Sequence, residues 1–317
     1  MIDAGASPAR LPLSVIVISH NMGRELPRTV RTLSPAMQRG VGLDDYEIIV
    51  IDNGSQAPPD RLALRAIAPN LSVHRMEGAK PSPVAAINRG LELARGELVG
   101  VCIDGARMVS PGMLNTAMRA ARLHARPVIG TLSFHLGPKM QTESMLEGYD
   151  QRQEDLLLSQ TRWEEDGYSL FDISVFAGSS RDGWFVTPNE TNALFLAKPH
   201  WLELGGFDAR FNSPGGGLAN LDMWRRACDD VSGELIMLLG EATFHQFHGG
   251  VATNSVVSPW AAFHEEYVAL RAMPYRKSKR QARFYGSIHP RMASSMGQSL
   301  GRYAELSRLD APPASPE

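Results

Sequence analysis

The run Leu13-Ser-Val-Ile-Val-Ile-Ser19 is apolar on both alternating faces, the pattern of a strand covered by helices on either side. Leu26, Val30, Leu33 and Met37 follow at helical spacing, which predicts an amphipathic helix behind a cap at Asn21. Tyr46-Glu-Ile-Ile-Val-Ile-Asp52 repeats the buried strand and ends in a carboxylate before the turn pair Asn53-Gly54. These three elements make a β-α-β unit. The alternation goes on through a short helix at Arg61 to Ala68, a strand at Leu71 to Arg75, a helix from Ser82 to Ala94 and a strand Glu97-Leu-Val-Gly-Val-Cys-Ile-Asp104. Strands alternating with helices predict an open, right-handed, mostly parallel sheet. Such sheets bind ligands beyond the carboxyl ends of their strands, where the strand order reverses. Asp52 and Asp104 each end a strand at that edge.

Past Pro111 the pattern predicts a helix to Leu123 and a strand from Pro127 to Phe134. The polar stretch Thr142 to Glu165 reads as a surface helix with a solvated face and no chemistry. Asn192 to Ala197 is a strand, Gly205-Gly206 a turn, and Pro214-Gly-Gly-Gly217 a loop before a helix at Ala219 to Cys228. The three glycines permit mobility or close approach of backbone to a ligand. Glu234 to Leu239 is a further strand and Trp260 to Leu270 a further helix. Met1 to Arg10 and Asp310 to Glu317 are expected to fray.

At 317 residues the chain has the length of about two domains, or of one large α/β unit with an appendage. A content of 43% hydrophobic and 21% charged residues excludes wholesale disorder, collagen and coiled coil. Lys plus Arg number 32 against 34 Asp plus Glu, so no global field exists for a polyanion to follow, and nucleic acid is excluded as a general partner. The two cysteines, Cys102 and Cys228, form no Cys-x-x-Cys and read as buried reduced thiols. The early apolar run is far too short to span a bilayer, and no cationic stretch with a cleavage site precedes it. Cytoplasmic residence is the expectation, with peripheral membrane contact left open.

No Gly-x-Gly-x-x-Gly follows the first strand and no Gly-x-x-x-x-Gly-Lys-Ser/Thr occurs, which removes the dinucleotide-binding and P-loop readings. Leu13-Ser-Val-Ile-Val-Ile-Ser-His-Asn21, Glu47-Ile-Ile-Val-Ile-Asp-Asn-Gly-Ser55, Ala86-Ile-Asn-Arg-Gly90, Ala94-Arg-Gly-Glu97 and Asp104 together resemble the nucleotide-binding half of family 2 glycosyltransferases. Leu204-Gly-Gly-Phe-Asp208, Phe211 and Leu221-Asp-Met-Trp-Arg-Arg226 resemble the acceptor half of the same family. The resemblance implies an α/β protein of GT-A fold: a Rossmann-like, mostly parallel sheet flanked by helices. Its expected organisation is a nucleotide-sugar-binding half over 11–130, an acceptor-binding half over 131–250 and a C-terminal helical extension over 251–317. The implied activity is transfer of a hexose, with inversion, from a nucleotide diphosphate sugar, UDP- or dTDP-linked, to a hydroxyl on a glycan, lipid or small molecule.

Carried over position by position, the resemblance puts Asp52 on the ring N–H of the nucleobase and Asp104 on the ribose and a metal, with His20, Asn21 and Asn88 beside the donor. It also departs from the pattern. The family usually ends this strand in Asp-x-Asp, whereas this chain reads Asp104-Gly105-Ala106. One carboxylate is a weak site for a hard cation, so Mg²⁺ or Mn²⁺ would lean on the donor's diphosphate, and a metal-free mechanism stays open. The family's late histidine finds two candidates in Phe244-His-Gln-Phe-His-Gly-Gly250, namely His245 and His248.

Inverting transfer needs a base for the acceptor hydroxyl's proton. The resemblance places it at Asn220, which cannot accept a proton usefully, so Asp222 and Glu190 become the candidates; Asp222 reads equally as a first-turn acid of its helix. Trp184, Trp201 and Trp224 read as core, with stacking on a sugar ring as the other role. The basic run Arg276-Lys-Ser-Lys-Arg280 with Arg283 is a solvated face, or a surface for an anionic donor or an acidic membrane. Two competing readings remain: a nucleotide-sugar-binding module without catalysis, because Ala106 and Asn220 replace acids, and a methyltransferase, which lacks its expected Gly-rich turn here.

Overall fold

A computed structural model describes residues 11–250 and 258–309. The frayed ends expected at Met1 to Arg10 and Asp310 to Glu317 lie outside the described residues. Ten strands form one mixed sheet: β1 (Leu13–Ser19), β2 (Tyr46–Asp52), β3 (Leu71–Arg75), β4 (Leu98–Cys102), β5 (Arg107–Val109), β6 (Pro127–Leu136), β7 (Ser174–Phe176), β8 (Ala193–Ala197), β9 (Glu234–His245) and β10 (Arg283–Gly286). Their order is β10-β9-β6-β8-β4-β1-β2-β3, with β5 on β9 and β7 on β6. β3, β2, β1 and β4 run parallel, β8 is antiparallel to both β4 and β6, and β6, β9 and β10 are again parallel.

Every residue of β1 and β2 is buried. Leu13, Val15 and Val17 pack into one apolar layer while Ile16 and Ile18 pack into the other, so the two-sided pattern in sequence does reflect a sheet covered on both faces. Each such side chain contributes on the order of 1.5–3 kcal/mol over an exposed one. The strand order reverses at β1, which has β2 on one side and β4 on the other. That reversal opens a crevice at their carboxyl ends.

Four details differ from the sequence reading. Asn21 is not a helix cap: it stands at φ 55, and the helix runs from Glu25 to Leu33. It ends at Ser34, held extended before Pro35. The stretch read as one surface helix is broken at Gly148 (φ 91) into Gln141–Ser144 and Gln151–Ser159, the second capped by the Asp150 side chain. β9 runs six residues beyond Leu239 to His245, turning at Gly240 (φ 85), where a Cβ would lie 1.9 Å from the carbonyl oxygen of Ser287. Residues 251–317 contribute more than helices, because β10 pairs with Ile236–Leu239 of β9 ahead of the helix Ala293–Leu309.

The glycines Gly215, Gly216 and Gly217 all take positive φ, in a turn whose Gly215 N–H donates to the Pro81 carbonyl, 3.1 Å away. Trp184, Trp201 and Trp224 are at most 2% exposed, and their indole N–H groups donate to Ser295 Oγ, Val99 O and Pro188 O. They are core residues, and the sugar-stacking role falls. Cys102 and Cys228 are free, buried thiols; burial pushes Cys102 up to about 12. No helix among the described residues is long and apolar enough to cross a membrane.

Candidate functional site

The carboxyl ends of β1 and β2 form the first part of the site. Ser19 and Asp52 are register partners. Asp52 is 1% exposed; its Oδ1 accepts the Ser55 N–H at 3.0 Å, and its Oδ2 has no hydrogen-bond partner, with Arg75 Nη1 at 3.6 Å. Ser19 Oγ and Asn53 Oδ1 are likewise buried without a partner. Buried polar atoms are nearly always satisfied. Three such atoms at adjoining strand ends mark a place where a polar ligand's hydrogen bonds belong.

His20 and Asn21 shape the rim beside them. Both are exposed: His20 Nδ1 meets the Asn53 carbonyl at 2.9 Å, the Asn21 side-chain oxygen accepts the Gln56 N–H at 2.8 Å, and the Asn21 N–H donates to Ser55 Oγ. The left-handed turn at Asn21 thus ties the ends of β1 and β2 together. Asn88 lies elsewhere. Its amide is used twice on one residue, donating to the Phe207 carbonyl at 2.8 Å and accepting the Phe207 N–H at 3.0 Å. This clip fixes the turn after Lys198–Glu203 and commits the Asn88 oxygen and one of its two N–H groups to the backbone.

The end of β4 carries the second part. Asp104 Oδ1 accepts the Ala106 N–H at 2.9 Å, closing the turn that leads into β5. Its Oδ2 accepts from Arg107 Nε at 2.9 Å. Because β5 pairs antiparallel with β9, with Arg107 opposite His245, the far end of β9 delivers the late histidines to this carboxylate. His245 Nε2 lies 3.9 Å from Asp104 Oδ2 and 3.1 Å from His248 Nε2. Gln141 Nε2 donates to the His245 carbonyl at 3.0 Å, so its oxygen accepts from His245 Nδ1 at 2.7 Å. That network leaves the His245 Nε2 lone pair facing His248. Burial, and then the Arg107 charge, push His245 well below the usual histidine range; burial also lowers His248. Both imidazoles are therefore neutral at neutral pH.

Asp104, His245 and His248 present one oxygen and two nitrogens within 4.8 Å of one another. Neutral imidazoles fit a divalent ion once His248 takes the tautomer that presents its Nε2 lone pair in place of the N–H it donates to His245. The two-nitrogen, one-oxygen set suits borderline first-row ions better than Mg²⁺, which prefers oxygen and many waters. Ala106 is fully buried and offers only a methyl group.

The two base candidates are separated by the fold. Asp222 is fully buried between Arg226 Nε (2.8 Å) and the Arg271 guanidinium (2.7 Å), and Arg271 also holds Asp208 at 2.8 Å. These hydrogen bonds overcome burial and lower its pKa. A carboxylate clamped by two guanidiniums is a poor proton acceptor, so Asp222 is the centre of a structural network rather than a base. Glu190 is half-buried, its Oε2 accepting from Asn220 Nδ2 at 2.9 Å. Burial raises its pKa, Arg107 lowers it and Asp104 raises it further, which puts Glu190 within electrostatic reach of the Asp104 cluster.

Other members of the site gave no signal in the sequence reading. Arg24 bonds Glu25, Glu154 and Asp155 at 2.7–3.0 Å, and Glu154, fully buried, accepts the Phe247 N–H at 2.8 Å. The stretch read as a solvated helix therefore holds the loop that carries His248. In the basic run, Arg280 donates to the carbonyls of Cys228, Asp230 and Gly233, while Arg276, Lys277, Lys279 and Arg283 stay exposed, Lys277 paired with Asp182 and Arg283 with Glu234.

A model of the family described as glycosyl transferase family 2 matches residues 14–176. No curated protein matches the chain. Among solved structures, residues 1–349 of S. aureus TarS are similar at 14% identity and a TM-score of 0.48, over 95% of this chain and 74% of that one. The same fragment in complex with UDP-GlcNAc gives 15% identity, a TM-score of 0.48 and the same coverage. S. aureus TarS itself gives 15% identity and a TM-score of 0.48, over 95% of this chain but 45% of that one. All three likenesses are distant.

Proposed function

Because the chain belongs to glycosyl transferase family 2 and has the mixed sheet of the GT-A fold, we propose that it moves a hexose, with inversion, from a UDP- or dTDP-linked donor to a hydroxyl acceptor in the cytoplasm. One observation carries this reading: Asp52 Oδ2 is a buried carboxylate oxygen without a hydrogen bond, with only Arg75 near it at 3.6 Å, at the strand-order reversal and across β1 from Asp104. It is suited to the imide N–H that uracil and thymine share. Asp104, close by at the end of β4, takes the ribose side.

Proton transfer falls to Glu190. Its raised pKa keeps it a competent acceptor, and the Asn220 amide orients the carboxylate from the position where the family resemblance puts the base. In-line attack needs the acceptor hydroxyl between Glu190 and the sugar carbon, so the two halves of the sheet act as a positioning frame. A divalent ion, Mn²⁺ in preference to Mg²⁺, would be held by Asp104, His245 and His248, and when bound it neutralises charge on the departing diphosphate. Gln141 orients His245, and Glu154 holds the His248 loop. Exposed Arg276, Lys277 and Lys279 are the surface that a peripheral contact with acidic lipid would use.

Titration calorimetry against nucleoside diphosphates and nucleotide sugars, with product analysis on the same samples, tests the reading. Binding of a nucleotide sugar with turnover or donor hydrolysis is expected. Binding of none overturns it, and binding without turnover favours the inert module suggested by Ala106 and Asn220.

A further inference from the structure

Arg107 stands three residues after Asp104, in a stretch where the family resemblance gives it no role. Its side chain is 9% exposed. Nε donates to Asp104 Oδ2 and Nη1 to Ser133 Oγ, both at 2.9 Å, and Nη2 makes no hydrogen bond among the described residues. A buried cation is normally matched by negative charge. Among the described residues Asp104 is the one carboxylate bonded to it; Glu190 feels its charge without a bond, as do the imidazoles of His245, His248 and His135. Beside it, Ala106 stands where an acid would hold a metal. The fold has thus placed a fixed positive charge on the Asp104 carboxylate, at the crevice where the donor's phosphates must lie if Asp52 holds the base.

We propose that Arg107 is a built-in cation of the donor site, whose guanidinium takes an oxygen of the nucleoside diphosphate and secures it without a divalent ion. A planar guanidinium with a free N–H suits phosphate geometry and carries its charge at every working pH. The metal at Asp104, His245 and His248 then adds to a charge already present, which is how one acid suffices where the pattern has two. This inference rests on the nucleotide-sugar reading.

The experiment compares uridine, UMP and UDP by calorimetry, in EDTA and then with Mn²⁺. Wild type is expected to hold UDP in EDTA at least about tenfold more tightly than uridine, as a charge-assisted contact would give. Arg107→Gln is expected to lose about 10- to 100-fold in UDP affinity in EDTA, with uridine affinity unchanged, and Arg107→Lys to recover part of the loss. A purely structural role would shift uridine and UDP together. The proposal is overturned if wild type gains nothing from the phosphates in EDTA, a measurement that needs no variant to fold, or if Arg107→Gln keeps its UDP affinity. Binding of uridine with no gain from phosphate removes Arg107 and spares the nucleotide reading; no binding of uridine or UDP under any condition removes both.

Discussion

Replacing Asp52 with Asn tests the nucleobase contact by changing one atom. The side chain is 1% exposed, and Oδ1 is committed to the Ser55 N–H at 3.0 Å while Oδ2 makes no hydrogen bond and has Arg75 at 3.6 Å. An amide cannot serve both directions. If its oxygen stays on Ser55, an NH₂ faces the imide N–H of the base; if it turns, the NH₂ faces the Ser55 N–H. One donor-to-donor contact results either way. A hydrogen bond to a charged group contributes about 1.5–3 kcal/mol, so UDP affinity should fall about 10- to 150-fold. The fold should persist, since a buried charge is removed and volume is kept. Calorimetry with uridine and N3-methyluridine isolates the contact: wild type should reject the methylated base and Asp52→Asn should discriminate little. An affinity for UDP within twofold of wild type, at unchanged melting temperature, would refute the assignment.

Glu190→Gln keeps the acceptor for Asn220 but no base, so kcat should drop about 10²- to 10⁴-fold with little change in KM. Wild-type rate should rise with pH through a carboxylate pKa lifted above 4.5, and a variant that keeps this acid limb would clear Glu190 of the role. His248→Ala should weaken Mn²⁺ binding, read by electron paramagnetic resonance without substrate, by about tenfold or more, since even outer-shell changes cost 10- to 100-fold; an identical titration would count against the site. Asp222 and Asp208 have pKa values lowered by Arg226, Arg210 and Arg271, so their stabilisation is complete above the unfolded values and is lost as pH falls through the folded ones. Melting temperature should hold down to the unfolded carboxylate range and fall below it, and Arg271→Met should flatten that dependence; an equal acid slope in both proteins would contradict it.

The parallel half of the fold was legible because burial on both faces writes itself as unbroken apolar runs. Leu13–Ser19 and Tyr46–Asp52 needed no tertiary information, and the strand-end positions of Asp52 and Asp104 followed from them. The pairing of Asp104 with His245 and His248 was legible only through the family resemblance, since its physical cause is β5 lying on β9, a contact between residues more than a hundred positions apart. Asp222 misled because a carboxylate spent on an ion-pair network has the same letter as one facing a ligand, and only its partners distinguish them. Arg107 and Glu154 escaped notice because their importance lies in what the fold brings against them.

The strand Arg283–Gly286 lies on Ile236–Leu239 of β9, the strand whose other end reaches the histidines. Trimming the chain at Arg280 to obtain a smaller crystallisable piece would strip that neighbour and bare a row of unpaired amides along an apolar ribbon. Such a truncate should self-associate through the bared edge. A shortened expression clone should therefore extend at least through Gly286.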